Sequence, residues 1–221
     1  AQTPPFRKSR ELAHKREYRT WLGYIARTSI LVTSTGIGGP STSIAIDEAQ
    51  LGVTTFLRVG TTGAIQPYIN VGDVIITTGA VRLDGASTHY APIEYPAVAH
   101  YTVVNALVQA AQALKIPYHL GITCSADTFY PGQERQDSYS GYIPRRFQCI
   151  TEEWRKLHVL NYEMEAATVL TLCNALGLIG GCVTGVIVRR TKSERITKKD
   201  LKLGEGNAVK VAAKAMEILA R

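Results

Sequence analysis

Apolar residues in this chain follow two patterns: short unbroken runs bounded by glycine and small polar residues, and longer stretches where they recur every three or four positions. The first pattern reads as buried strands and the second as helices with one apolar face. Strands are therefore predicted over 29–34, 55–60, 73–78, 119–124 and 181–188. Helices are predicted over 103–114, 163–176 and, amphipathic, 202–219. Another starts at Ser41-Thr42-Ser43, directly after the glycine turn Gly36-Ile37-Gly38-Gly39-Pro40, because hydroxyl side chains satisfy the free N–H groups of a helix start. A second small-residue turn, Thr61-Thr62-Gly63-Ala64, follows the 55–60 strand. Strands alternating with helices predict an α/β fold in which helices flank a central, largely parallel twisted sheet, with ligands at the strand ends. No repeat, low-complexity tract or linker divides residues 1–221, so a single domain is expected.

Composition changes this picture at its margins. With 221 residues, 45% of them hydrophobic, the chain can bury a substantial core. No apolar run approaches the roughly 18 residues needed to span a membrane. The first residues hold no apolar signal core, so a cytoplasmic protein without membrane contact is expected. Cys124, Cys149, Cys173 and Cys182 lack metal-ligand spacing, and three of them lie in apolar stretches, which suits buried reduced thiols. His14, His89, His100, His119 and His158 are scattered and no Gly-x-Ser-x-Gly elbow occurs, so metal and nucleophile chemistry lack their parts. The formal charge of +7 gathers at the N-terminal start and over 189–202, without the aromatic spacing of an RNA motif, and no nucleic-acid partner is expected.

Four segments carry candidate chemistry. In Phe129-Tyr130-Pro131-Gly132-Gln133-Glu134-Arg135 an amide and a guanidinium stand two residues apart after a turn. Gln offers an acceptor and donors in one plane, Arg offers only donors, and together they match the carbonyl, N–H, carbonyl edge of a planar imide such as uracil. A merely solvated surface turn is the alternative. Arg58 lies inside an apolar strand, where a charge needs a partner: a phosphate gripped together with the neighbouring threonine hydroxyls, or a buried carboxylate. Gly36-Ile37-Gly38-Gly39-Pro40-Ser41 brings backbone amides together at a helix start, which suits an anion or a sugar hydroxyl, although geometry alone also produces such turns. Glu163 and Glu165, in Asn161-Tyr162-Glu163-Met164-Glu165-Ala166-Ala167, are two positions apart on a predicted helix. That separation aims them to different sides. Glu165, beside small alanines, is expected to face a pocket and accept from vicinal sugar hydroxyls, while Glu163 complements the helix dipole.

Taken together, the Gly36 to Ser41 turn, Arg58-Val59-Gly60-Thr61-Thr62-Gly63-Ala64, Phe129 through Arg135, and Tyr162-Glu163-Met164-Glu165 closely resemble the uridine-cleaving branch of the nucleoside phosphorylase I family, in order and over nearly the whole chain. The resemblance implies a three-layer, phosphorylase/hydrolase-like domain that reversibly converts uridine and phosphate into uracil and ribose 1-phosphate in pyrimidine nucleoside salvage. It implies a hexamer built as a trimer of dimers. By the family pattern Arg58 and Thr61 bind phosphate, joined by Arg16 of the partner subunit. Gln133 and Arg135 hold uracil, with Thr62, Gly63, Phe129, Ile187 and Arg190 around it. Thr61, Glu163, Met164 and Glu165 line the ribose. No cofactor is required, and a monovalent cation such as potassium is implied at the dimer interface, at Glu17, Ile37 and Ser41.

The chemistry is coherent with these parts. Breaking the N-glycosidic bond builds positive charge on the sugar, which phosphate stabilises, and negative charge on the base, which Gln133 and Arg135 stabilise. Purine-cleaving relatives place an Asp near the position of Ile187-Val188-Arg189, and this chain has none there. The family also opens with a strand and a Gly-Asp-Pro-x-Arg phosphate loop that this chain, starting at Ala1, does not carry. The expectation is that the natural protein has residues ahead of Ala1. The family has one residue more in the helix at Asp47-Glu48-Ala49-Gln50, and losing one turns later side chains by roughly 100°. A broader pyrimidine nucleoside phosphorylase, a nucleoside hydrolase and a binding protein of the same fold with lost catalysis stand as alternatives.

Overall fold

The computed structural model describes residues 6–49, 52–191 and 194–220; residues 1–5, Gln50 and Lys192, on which parts of the sequence reading fall, lie outside them. Strands β1 (Arg7–Lys15), β2 (Tyr18–Ile25) and β3 (Thr28–Thr33) form a separate antiparallel sheet in that order. Two-residue turns join them, and Arg16 (φ 56°) and Ala26 (φ 53°) take the left-handed backbone at the first position of each. The charged, mostly exposed β1 carries no apolar run, so the hydrophobic pattern passes over it. The strand predicted over 29–34 exists, but not as a buried core strand: Ile30 is buried while Leu31 and Val32 are exposed.

The remaining elements are α1 (Gly39–Ala49), β4 (Thr55–Ala64), β5 (Val74–Leu83), β6 (Ala97–Val98), α2 (Tyr101–Ala113), β7 (Tyr118–Ala126), α3 (Ile150–Lys156), β8 (Asn161–Glu163), α4 (Ala166–Ala175), β9 (Ile179–Arg189) and α5 (Lys198–Leu219). The α/β class, the flanking helices and the predominance of parallel pairing are as expected, but the sheet closes on itself instead of forming one flat layer between helices. Strands β5, β7, β8, β4 and β9 are hydrogen-bonded in sequence, and β9 returns to β5 to close a ring. Pairs β4–β9, β5–β7 and β7–β8 are parallel, whereas β4–β8 and β5–β9 are antiparallel, with β6 added antiparallel outside β5. Closure follows from the length of β9, which runs beside β4 along all ten of its residues and also reaches β5. Closing a sheet removes free edges.

Alternation along β5 divides the core. Ile75 joins Ala64, Ile69, Leu160 and Val186 inside the ring, while Val74 and Ile76 meet Val103, Leu107, Val183 and Val211 beneath α2 and α5. Helices α1 and α4 pack through Ile46, Val169, Leu172 and Cys173. Helix α5 starts at Lys198 rather than 202, because Thr197 and Asp200 satisfy each other's backbone N–H groups in a capping box. It meets β9 backbone to backbone: a Cβ on Gly185 would lie 1.9 Å from the Gly204 carbonyl oxygen.

The segment Gly60-Thr61-Thr62-Gly63, expected as a turn, continues strand β4. Its glycines provide clearance instead of bending. A Cβ on Gly60 would stand 2.1 Å from Nη1 of Arg58, and one on Gly63 would stand 3.1 Å from Cδ of Arg190.

Candidate active site

Arg58, midway along β4, is held by two carboxylates. Its Nε lies 2.9 Å from Glu163 Oε2, and its Nη2 donates to Glu165 Oε2. The expectation that the two acids stand on a helix and aim to different sides is overturned, because neither lies within a helix. Glu163 ends β8 and Glu165 is the residue before α4, so helical spacing does not apply and both converge on Arg58. Glu163 also caps α4, accepting from the backbone N–H groups of Glu165 and Ala166 at 2.8 Å each and from the Ser125 hydroxyl. Glu165 accepts from the Gly38 N–H at 2.5 Å, so an amide of the glycine turn fixes this carboxylate.

Burial by itself disfavours the charge of Arg58, but Glu163 and Glu165 outweigh it and hold the guanidinium above its ordinary pKa. Burial pushes Glu163 up, with Arg58 opposing. The pairing does not exhaust the arginine: Nη1 of Arg58 is buried without a hydrogen-bond partner among the described residues. A buried donor left empty is costly unless a ligand or water fills it.

A second cluster forms at the C-terminal end of β7. Pro131–Gln133 make one short 3₁₀ turn, Gln133 is buried, and among the described residues its amide has no protein partner. The Arg135 guanidinium lies 4.2 Å from the centre of the Phe129 ring, and that of Arg190 lies 5.0 Å from the Tyr162 ring. Glu194 bridges the two cations, pairing with Arg135 and, at 2.7 Å, with Arg190. Burial lowers Arg135, and burial together with the neighbouring charge of Arg135 lowers Arg190 to about 10. Arg135 Nε and Arg190 Nη1 are also buried without partners.

Gly63, Arg190 and Tyr162 connect this cluster to β4. The Thr62 hydroxyl, expected near the base, is committed inside the protein: it donates to the Tyr162 carbonyl at 2.6 Å and accepts from Asn161 Nδ2 at 2.7 Å. Strand alternation puts Thr61 on the opposite side from Arg58, so the strand does not set these two expected phosphate ligands side by side. Met164 and Ile187 are partly buried, Met164 between the two acids and Ile187 near the end of β9. Arg16 is exposed at the tip of the β1–β2 turn. Near Gly36 the structure gathers Glu17, Ile37 and Ser41: the Ser41 hydroxyl lies 3.4 Å from the Ile37 carbonyl, and a Cβ on Gly36 would meet Glu17 Cγ at 3.2 Å and Ser41 Oγ at 3.9 Å.

Sequence reasoning missed Glu194, Tyr162 and Ser125. Glu194 had a signal, four residues after Arg190; Ser125 had none, because its role depends on which strands become neighbours.

A sequence profile described as the phosphorylase superfamily matches residues 1–220. Among curated relatives, a uridine phosphorylase of Haemophilus influenzae is 57% identical over 94% of this chain and 83% of its own length. One of Escherichia coli is 55% identical over 93% of this chain and 81% of its own length. One of Thermococcus kodakarensis is 50% identical over 96% of this chain and 75% of its own length.

Proposed function

From the premise that the chain belongs to the phosphorylase superfamily, we infer that it is a pentosyltransferase that cleaves uridine with phosphate to give uracil and ribose 1-phosphate. Relatives of that name at 50–57% identity support the activity. The observation that carries the site is the set of donors left without protein partners among the described residues, on the buried guanidinium groups of Arg58, Arg135 and Arg190 and on the amide of Gln133. Such donors suit a ligand with anionic and carbonyl oxygens.

In this reading phosphate lies against Arg58 with Arg16 of the partner subunit, and Thr61, on the other side of β4, is not part of that grip. Glu165, Met164 and Glu163 hold the ribose, and Gln133 and Arg135 hold the uracil within Thr62, Gly63, Phe129, Ile187 and Arg190. A phosphate oxygen forms the bond to C1′ as the C1′–N1 bond breaks. The electron pair passes into the uracil ring and its carbonyl oxygens, where Arg135 and Gln133 stabilise it, and the base then takes up a proton. The carboxylate of Glu165, fixed by Gly38, positions the sugar, and positioning of this kind lowers the barrier without a covalent enzyme intermediate.

The reading extends to a hexameric, cytoplasmic salvage enzyme of one domain. No helix among the described residues is long and apolar enough to cross a membrane. The oxygen-only set of Glu17, Ile37 and Ser41 fits a monovalent cation such as potassium, which would supply interface charge and no redox chemistry. The test follows uridine absorbance with and without phosphate. Loss of signal only with phosphate supports phosphorolysis, equal loss without it means hydrolysis, and no loss in either condition overturns the activity.

A further inference from the structure

Between Gln133 and Arg135 stands Glu134, whose side chain points away from both functions ascribed to its neighbours. Its backbone is left-handed (φ 54°, ψ 41°), an uncommon state for a residue other than glycine, asparagine or aspartate. Local hydrogen bonds hold the segment there: Glu134 N–H to the Pro131 carbonyl at 3.0 Å, Arg135 N–H to the Tyr130 carbonyl at 2.8 Å, and Gly132 N–H to the Thr128 hydroxyl at 2.8 Å.

The Glu134 carboxylate reaches the start of α3, where Oε1 accepts from the Cys149 N–H at 2.5 Å and Oε2 from the Thr151 N–H at 2.8 Å. Cys149, the residue before α3, makes no side-chain cap of its own. A carboxylate accepting two helix-start N–H groups is a strong, directional tie. Helix α3 is in turn fixed to the end of β4. Arg155 Nε donates to the Ile65 carbonyl at 2.9 Å, and Gln66 Nε2 donates to the carbonyls of Arg155 and Val159 at 3.0 and 2.7 Å. The segment bearing Gln133 and Arg135 is thus braced, through Glu134 and α3, against the strand that carries Thr61, Thr62 and Gly63.

We propose that Glu134 is a positioning residue for base recognition: its double cap on α3 sets the separation between the Gln133/Arg135 pair and β4 without touching substrate. The proposal rests on the assignment of Gln133 and Arg135 as uracil ligands. Misplacing such a pair by about 1 Å costs up to roughly a hundredfold. Glu134→Ala removes both cap bonds, and Glu134→Gln keeps one acceptor oxygen.

Binding of uracil and of inorganic phosphate is measured by calorimetry on the wild-type protein and both variants, alongside their melting temperatures. Uracil affinity is expected to fall at least about tenfold in Glu134→Ala and by an intermediate factor in Glu134→Gln, while phosphate affinity stays within about twofold. Should the alanine variant fail to fold, the glutamine variant carries the same comparison. Uracil binding within about twofold of wild type in a folded variant overturns the proposal, as does a matched loss of uracil and phosphate affinity with a lowered melting temperature. A wild-type protein that binds no uracil overturns the base assignment itself and the proposal with it.

Discussion

The two ends of the candidate site are built in opposite ways. At Arg58 the guanidinium sits on a strand in a closed ring and is neutralised by the protein's own Glu163 and Glu165. At Arg135 and Arg190, one cation stands on a short turn segment and the other just after β9; burial lowers both, and they share Glu194. The first end is ordered before any ligand arrives, since Arg58 pairs with both acids, Glu163 also caps α4 and Glu165 is held by the Gly38 N–H. Where the first end leaves only Nη1 of Arg58 over, the second keeps Arg135 Nε, Arg190 Nη1 and the Gln133 amide in reserve. Reaction chemistry that every substrate shares belongs on the rigid part, and discrimination among bases belongs on segments between regular elements, where the sequence is free to vary.

Removing Arg58 tests this contrast most severely. Arg58→Ala leaves two buried carboxylates without their cation, so the variant is expected to lose about 3–5 kcal/mol of stability. Its kcat/KM in phosphorolysis is expected to fall by roughly a thousandfold. Urea titration and steady-state kinetics with varied phosphate check both, and a stable, active variant would erase the distinction between the ends. Gln133→Ala and Arg135→Ala are expected to act mainly on one side, lowering kcat/KM for uridine by roughly ten- to a hundredfold with a smaller loss of stability than Arg58→Ala, because the amide of Gln133 supports no protein group and Glu194, on losing Arg135, keeps Arg190. A melting temperature lowered as far as that of Arg58→Ala would show the base end to be structural as well.

Glu163 sharpens the comparison through pH. Burial raises its pKa in the folded protein, so between the ordinary carboxylate value and that raised value the folded chain binds more protons than the unfolded one. This group's contribution to stability therefore falls as pH rises through that window, and the ion pair with Arg58 is complete only above it. A carboxyl ¹³C titration should give a midpoint above about 4.3, and a midpoint at or below that value would mean that Arg58 outweighs burial, which removes this pH dependence. The smallest effect is expected at the start of α5: Thr197→Ala removes its cap and should cost about 1 kcal/mol, with kcat/KM changed less than in any variant above.

Much of this was legible in the sequence, for identifiable reasons. Strands β4, β5, β7 and β9 and helices α2 and α5 announce themselves because each buries a continuous run or a single face. Arg58 and the Gln133/Arg135 pair stand out because a charge in an apolar strand and an amide beside a guanidinium are chemically conspicuous. Ring closure was not legible, since no local pattern states that β9 will pair with β5 as well as β4. The glycines of β4 misled, because a residue that makes room for a guanidinium looks the same as one that makes a turn. Glu163 and Glu165 misled for a related reason: spacing has meaning only once the element is known, and these two belong to a strand end and a helix cap.

Closure of the ring by β9 also comes late in the making of the chain. Translation completes β4 at Ala64 and β5 at Leu83, whereas β9, which pairs with both, begins only at Ile179, so until then each lacks that partner. Arg190 follows directly on β9, and α5 comes after that to seal the outside of the joint. A ribosome stalled between residues 135 and 179 therefore holds a chain with Arg58, Gln133 and Arg135 already made and the ring that places Arg58 still open. Slow codons or chaperone contacts over that stretch would act on the time those edges remain open rather than on the final structure.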